Sequence, residues 1–264
     1  VGLFADKYFN MTEDIPLELI NVYKSFGEQK VHEGINIQIK KGKSAIVVGQ
    51  SGAGKSVMLK YFPGLMKPDA GEVKVFGQDI SKMKRRQLYE VRSKLGVLFQ
   101  GAALFDSMTT FENVALPLRE KTKLNESEIK KSVMEKLDLV GMADAHQKYP
   151  ANLSGGMQKR VGLARALQRD PDIVLFDEPT TGLDPETTHN IYDLFAETQK
   201  KLGYTSLIVS HDIPKVFRIA DIVAVLSNKE IQICEKSCLG DGCGNAWLKK
   251  MLDLERSGLK GTLL

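Results

Sequence analysis

The chain has 264 residues, 42% of them hydrophobic, enough to fill one large domain or two small ones. Its 37 basic and 33 acidic residues give a formal charge of +4. The charges are interspersed, as in EIKKSVMEK, so they read as solvated helix faces, with no stripe for nucleic acid. No apolar run approaches the roughly 20 residues of a transmembrane helix, and no signal-peptide pattern opens the chain. The expectation is a soluble, cytoplasmic protein.

The chain opens at Val1, and Met11 is a candidate native start. Residues 1–11 are set aside as a tag remnant or extension. LELINV, INIQIK and GEVKVFG alternate between apolar and polar residues and are separated by turns, which predicts a small antiparallel sheet. SAIVVG (44–49), LGVLF (95–99), DIVLFD (172–177), TSLIVS (205–210) and DIVAVL (221–226) are apolar, β-branched runs of the buried-strand type. Their alternation with amphipathic helices predicts an α/β fold, a mostly parallel sheet flanked by helices. Two helices are well punctuated. Asn125 with Glu128 forms a capping box ahead of Ile129, Val133 and Leu137, and Asp184–Pro185 opens a helix that Gly203 stops.

GQSGAGKS, Gly49 to Ser56, fits G-x-x-x-x-G-K-[ST] between a strand and a helix. Phosphate oxygens need this arrangement because bare backbone amides at a helix N-terminus must come close to them. The site comprises Gly49, Gln50, Ser51, Gly52, Ala53, Gly54, Lys55, Ser56 and Val57. Lys55 is placed to reach the β- and γ-phosphates, and Ser56 to ligate Mg²⁺. IVLFDE ends a second apolar strand in two carboxylates. Asp177 is assigned to the magnesium, and Glu178 to polarising the attacking water. LSGGMQKR, Leu153 to Arg160, is another helix start with naked amides, and one nucleotide does not need two; read by itself it is more often an ordinary N-cap.

The ordered set GQSGAGKS, Gln100, LSGGMQ, IVLFDEP, TGLDP and SHD resembles the ATPase subunit of ABC transporters over residues 15–233. The resemblance implies a P-loop NTPase of ABC type: a RecA-like sheet, a small antiparallel β subdomain and an inserted helical subdomain. Its implied parts are 12–99 (N-terminal core with the P-loop), 100–170 (helical subdomain ending in the LSGGM helix), 171–233 (C-terminal core) and 234–264 (an extension). It also implies ATP and Mg²⁺ as ligands and a head-to-tail homodimer. Ser154, Gly155, Gly156 and Met157 of one subunit would then face the P-loop of the other, which explains the second anion-binding turn. Residue by residue, Phe26 matches the aromatic that stacks on adenine, although alone it would read as core. Gln100 matches the glutamine at Mg²⁺ and the attacking water, His211 the γ-phosphate histidine, and Asp184 the loop crossing the dimer interface. Met157 stands where the family usually has glutamine, which weakens any role for that side chain but not for the glycines.

VLFQGAALFDSMTTFENVALPLRE is similar to the ATPases of Mla-type lipid transporters, which work with MCE proteins. That subfamily implies a membrane permease, an MCE substrate-binding protein, a STAS-domain subunit and phospholipid cargo, at the cytoplasmic side of the bacterial inner membrane. Gly101, Ala102, Ala103, Leu104 and Phe105 would border the groove where a permease helix docks; alternatively Leu104 and Phe105 anchor the helical subdomain to its own core. Other ABC systems, for lipoprotein release, cell division or small-molecule import, are the alternative. Translation and repair ABC proteins are disfavoured, since one cassette is present and only residues 57–153 separate the P-loop from SGG. The extension departs from the family: Cys234, Cys238 and Cys243 replace the usual acidic turn. With no histidine nearby, free thiols are expected over a metal site.

Overall fold

The computed structural model describes residues 15–257, without the side chains of residues 236 and 238. Expectations for residues 1–11 and for the Cys238 thiol lie outside the described residues. In chain order the elements are β1 (Leu17–Phe26), β2 (Gln29–Ile39), β3 (Ser44–Gly49), α1 (Lys55–Leu59), β4 (Ala70–Val75), β5 (Gln78–Asp79), α2 (Arg85–Ser93) and β6 (Leu95–Leu98). Then follow α3 (Thr110–Lys121), α4 (Glu126–Leu139), α5 (Gly155–Leu167), β7 (Ile173–Asp177), α6 (Pro185–Leu202), β8 (Thr205–Val209), β9 (Ile222–Ser227), β10 (Glu230–Cys234) and α7 (Ala246–Arg256).

The alternating first segments pair as a four-stranded antiparallel sheet in the order β2-β1-β4-β5. The apolar runs form a six-stranded sheet, β10-β9-β3-β8-β7-β6, parallel except for the β9–β10 pair. Successive side chains of a strand point to opposite faces, and here both faces are covered. Ile46 and Val48 of β3, with Val174 and Phe176 of β7, join a core cluster with α3, α4, α5, α6 and α7. Ala45, Val47, Ile173 and Leu175 point the other way, into a cluster with α1 and the antiparallel sheet. This two-sided burial is why β3 has no exposed residue.

Both punctuated helices form where their caps place them. Asn125 Oδ1 accepts the Glu128 N–H at 3.0 Å, and Asp184 Oδ1 accepts the Thr187 N–H at 2.9 Å. Each cap satisfies an amide that the first turn leaves without a helical partner. In the extension, Cys234 is free and buried at the end of β10, but Cys243 is disulfide-bonded, which corrects the expectation of a free thiol there. The segment folds back on itself through left-handed Gly242 and Cys243, and α7 then seats Leu248 and Leu252 in the core. Among the described residues no helix is long and apolar enough to cross a membrane.

Candidate active site

Functional residues of a parallel sheet gather at the carboxyl ends of its strands, beside the point where strand order reverses. Here β3 lies between β8 and β9. The loops after β3, β6 and β8 carry the P-loop, Gln100 and His211 respectively, and Asp177 ends β7 with Glu178 directly after it.

The P-loop leaves β3 at Gly49 and turns into α1 through Gly54, whose φ of +98° is costly for any residue with a Cβ. A Cβ at Gly54 would also stand 2.5 Å from Val31 Cγ1 and 2.7 Å from His32 Nε2, so β2 presses directly against the loop. Gln50, Ser51 and Gly52 are exposed, whereas Ala53 and Val57 pack on the core beneath. Lys55 is buried, and its Nζ donates to the carbonyls of Gly49 at 2.9 Å and Gln50 at 3.0 Å. Burial pulls its pKa down, against the opposing pull of the Glu178 and Asp177 carboxylates.

Ser56 Oγ donates to Asp177 Oδ1 at 2.7 Å, so hydroxyl and carboxylate already face one point. A hard divalent cation such as Mg²⁺ takes this kind of oxygen donor, and the pair fits it. Glu178 Oε1 lies 3.8 Å from Lys55 Nζ, and Glu178 Oε2 pairs with His211 Nδ1 and accepts from Thr181 Oγ1 at 3.2 Å. Burial pushes the Glu178 pKa up, but His211, Lys55 and Thr181 outweigh it and hold the carboxyl below its usual range. The same hydrogen bond raises the His211 pKa. Glu178 sits at φ 49°, held there by a bond from its N–H to Val209 O at 2.9 Å.

Gln100 is exposed, and its carbonyl accepts from Lys159 Nζ on α5. The following residues divide. Gly101, Ala103 and Phe105 are exposed, Ala102 is 1% exposed, and Leu104 packs against the chain's own core. Arg165 of α5 donates to the carbonyls of Ala102 and Ala103, each at 2.8 Å. Ser154 caps α5, accepting the Met157 N–H at 3.3 Å. Ser154 and Gly155 face solvent, while a Cβ at Gly156 would stand 2.5 Å from Thr187 Cγ2. Met157 packs inward. Phe26, at the end of β1, keeps an exposed ring with Lys24 Nζ 5.4 Å from its centroid.

The motifs therefore fall into two groups: Gly49–Val57, Asp177, Glu178 and His211 converge in one place, and Ser154–Met157 with Asp184 lie where the starts of α5 and α6 meet. Sequence reasoning passed over three contributors. His32 lies under the P-loop, and Lys159 and Arg165 tie the Gln100 loop to α5. Two of these cations are spaced six apart on the signature helix, but nothing local marks them as pointing at distant carbonyls.

The family model described as "ABC transporter" matches residues 32–181. The "Intermembrane phospholipid transport system ATP-binding protein MlaF" of Haemophilus influenzae is 42% identical over 215 residues, covering 81% of both chains. The "Probable ribonucleotide transport ATP-binding protein mkl" of Mycobacterium leprae is 42% identical over 221 residues, which are 84% of this chain and 64% of that protein. Among solved structures, the dimeric ATP-binding cassette MJ0796 bound to ADP and Pi is 33% identical with a TM-score of 0.74, covering 82% of this chain and 96% of that one.

Proposed function

We propose, from the premise that this chain belongs to the ABC transporter family and is an ATPase of it, that its ATP hydrolysis drives phospholipid movement between bacterial membranes. The observation that carries the lipid reading is the match to MlaF over 81% of both chains, the mycobacterial protein being matched over 64% of its length.

In this reading Gly49–Val57 cradle the phosphates and Phe26 stacks on adenine. Ser56, Asp177 and Gln100 would hold Mg²⁺, which supplies charge neutralisation when bound. Lys55 carries a positive charge to the phosphate oxygens, Glu178 accepts a hydrogen bond from the attacking water, and His211 contacts the γ-phosphate. The exposed Ser154 and Gly155 serve the P-loop of a second copy, with Asp184 at the interface between them. Residues 100–170 form the helical subdomain that moves relative to the core. Gly101, Ala103 and Phe105 face the permease; Ala102 and Leu104 support them from inside. The partners are a permease, an MCE protein and a STAS-domain subunit, and the chain sits peripherally on the cytoplasmic face of the inner membrane.

Purification of the complex from detergent-solubilised membranes tests the proposal. The expected result is a permease and an MCE protein with bound phospholipid, and ATPase activity that responds to phospholipid. A complex with a soluble nucleotide- or amino-acid-binding protein and no lipid response would overturn it.

A further inference from the structure

Glu178 and His211 leave the core on neighbouring strands, and the bond from Glu178 N–H to Val209 O ties Glu178 to the end of β8, two residues before His211. Behind them runs a chain of three buried hydroxyls. Thr180 Oγ1 lies 2.9 Å from Tyr192 Oη, and Tyr192 Oη lies 3.1 Å from Ser210 Oγ. Thr180, Tyr192 and Ser210 are 6%, 1% and 1% exposed, so these groups have no water to fall back on. Ser210 Oγ also accepts the Asp212 N–H at 3.0 Å, which fixes the turn on the far side of His211.

The positions give the chain its meaning. Thr180 follows Glu178 by two residues, Ser210 immediately precedes His211, and Tyr192 projects from the middle of α6. Glu178 itself holds a positive φ, a conformation that persists only where the surroundings enforce it. We propose that the Tyr192 hydroxyl is a positioning group for hydrolysis: by bridging Thr180 and Ser210 it fixes the two loops that carry Glu178 and His211 and keeps that pair aligned. Burial pushes the Tyr192 phenol far above its ordinary pKa, so it acts in the bridge as a neutral hydroxyl. Asp184 caps the start of α6, so a displacement of that helix end reaches the bridge through a rigid element. This inference concerns the hydrolytic site and stands whatever cargo the transporter carries.

The core contains its own control. Tyr204 is also buried, with Oη 2.8 Å from Thr198 Oγ1 and 3.2 Å from Phe195 O, so its hydroxyl bonds to α6 and to neither the Glu178 nor the His211 loop. Steady-state ATP hydrolysis by the purified chain is measured for Tyr192→Phe and Tyr204→Phe, each lacking one buried hydroxyl. We expect Tyr192→Phe to lower kcat about three- to tenfold with the KM for ATP within about twofold of wild type. Tyr204→Phe should leave kcat within about twofold, although both variants lose thermal stability. Thr180→Val should reproduce the kcat loss, and Thr180→Ser, which keeps the hydroxyl, should not. This second pair decides the matter if Tyr192→Phe does not fold. Equal kcat for the two tyrosine variants, or Thr180→Val matching Thr180→Ser, would overturn the proposal.

Discussion

His211 Nδ1 is hydrogen-bonded to Glu178 Oε2, and the two groups move each other's protonation in opposite directions. The carboxyl is held below its usual range by His211 and the imidazole is raised above its own by Glu178. A carboxylate that stays ionised is suited to accept a hydrogen bond from the attacking water and orient it. Glu178→Gln keeps the shape and removes the charge. Hydrolysis should fall about 100-fold or more in single-turnover assays, with ATP binding retained. The His211 pKa should fall back toward its ordinary value, readable by NMR. Unchanged turnover would show that another group activates the water.

The second prediction concerns the cation. Ser56 Oγ is the hydrogen-bond partner of Asp177 at 2.7 Å. Ser56→Ala removes the proposed ligand and takes this donor from Asp177. The Mg²⁺ concentration for half-maximal activity should rise about 10- to 100-fold. An unchanged Mg²⁺ titration would place the cation elsewhere.

A third prediction follows from His32, which is 1% exposed, with Nδ1 2.7 Å from Tyr61 Oη and, among the described residues, no hydrogen-bond partner for Nε2. Burial lowers its pKa from 6.5 to about 4. The folded state thus keeps the ring neutral, while the unfolded chain takes up a proton below pH 6.5. Stability is full above that pH, declines as the pH falls from 6.5 towards 4, and flattens below. The loss amounts to at most about 3 kcal/mol. Denaturant unfolding of wild type and His32→Leu, taken from pH 7.5 down to 4, should show wild type losing stability relative to the variant as the pH drops. Parallel curves would mean that the ring is protonated in the fold or solvated.

Phe105 supplies the fourth. Its ring is 51% exposed, whereas Leu104 beside it packs into the core. Phe105→Glu should leave melting temperature and basal ATP hydrolysis within about twofold of wild type, as surface changes do, and abolish recovery of the permease on affinity purification. Leu104→Glu should instead destabilise the fold. Recovery of permease with Phe105→Glu would move the docking surface away from this loop.

Much of this architecture is legible in the chain. The strands of the parallel sheet are buried on both faces and so appear as continuous apolar runs, and the helices around them announce themselves through Asn125–Glu128 and Asp184–Pro185. β10 is harder to see: Glu230–Cys234 is an edge strand with three exposed residues, formed because β9 offers it a partner. The motif residues identify the phosphate site, since their spacing is dictated by the backbone's approach to oxygen. What supports them is invisible locally. His32 meets Gly54, Lys159 meets the Gln100 carbonyl, and Arg165 meets Ala102 and Ala103 only once the chain has folded. Among the small residues of GAALF, Ala102 is the one that turns inward. Ala102 is small because Gly162 and its helix lie against it, with a Cβ at Gly162 standing 3.2 Å from that of Ala102.

Lys55 binds two carbonyls of its own loop, and this affects how the most familiar experiment on such a site is interpreted. Replacing that lysine is commonly taken as deleting one positive charge from the phosphate contact. In this chain the change also unstitches Gly49 and Gln50 from the start of α1: the buried Gly49 carbonyl loses this donor, while the Gln50 carbonyl keeps the Ala53 N–H at 3.1 Å. A drop in ATP affinity for Lys55→Ala would therefore mix the lost attraction with the cost of a loosened loop. Comparing hydrogen exchange of the loop amides in Lys55→Ala and Lys55→Arg separates the two contributions.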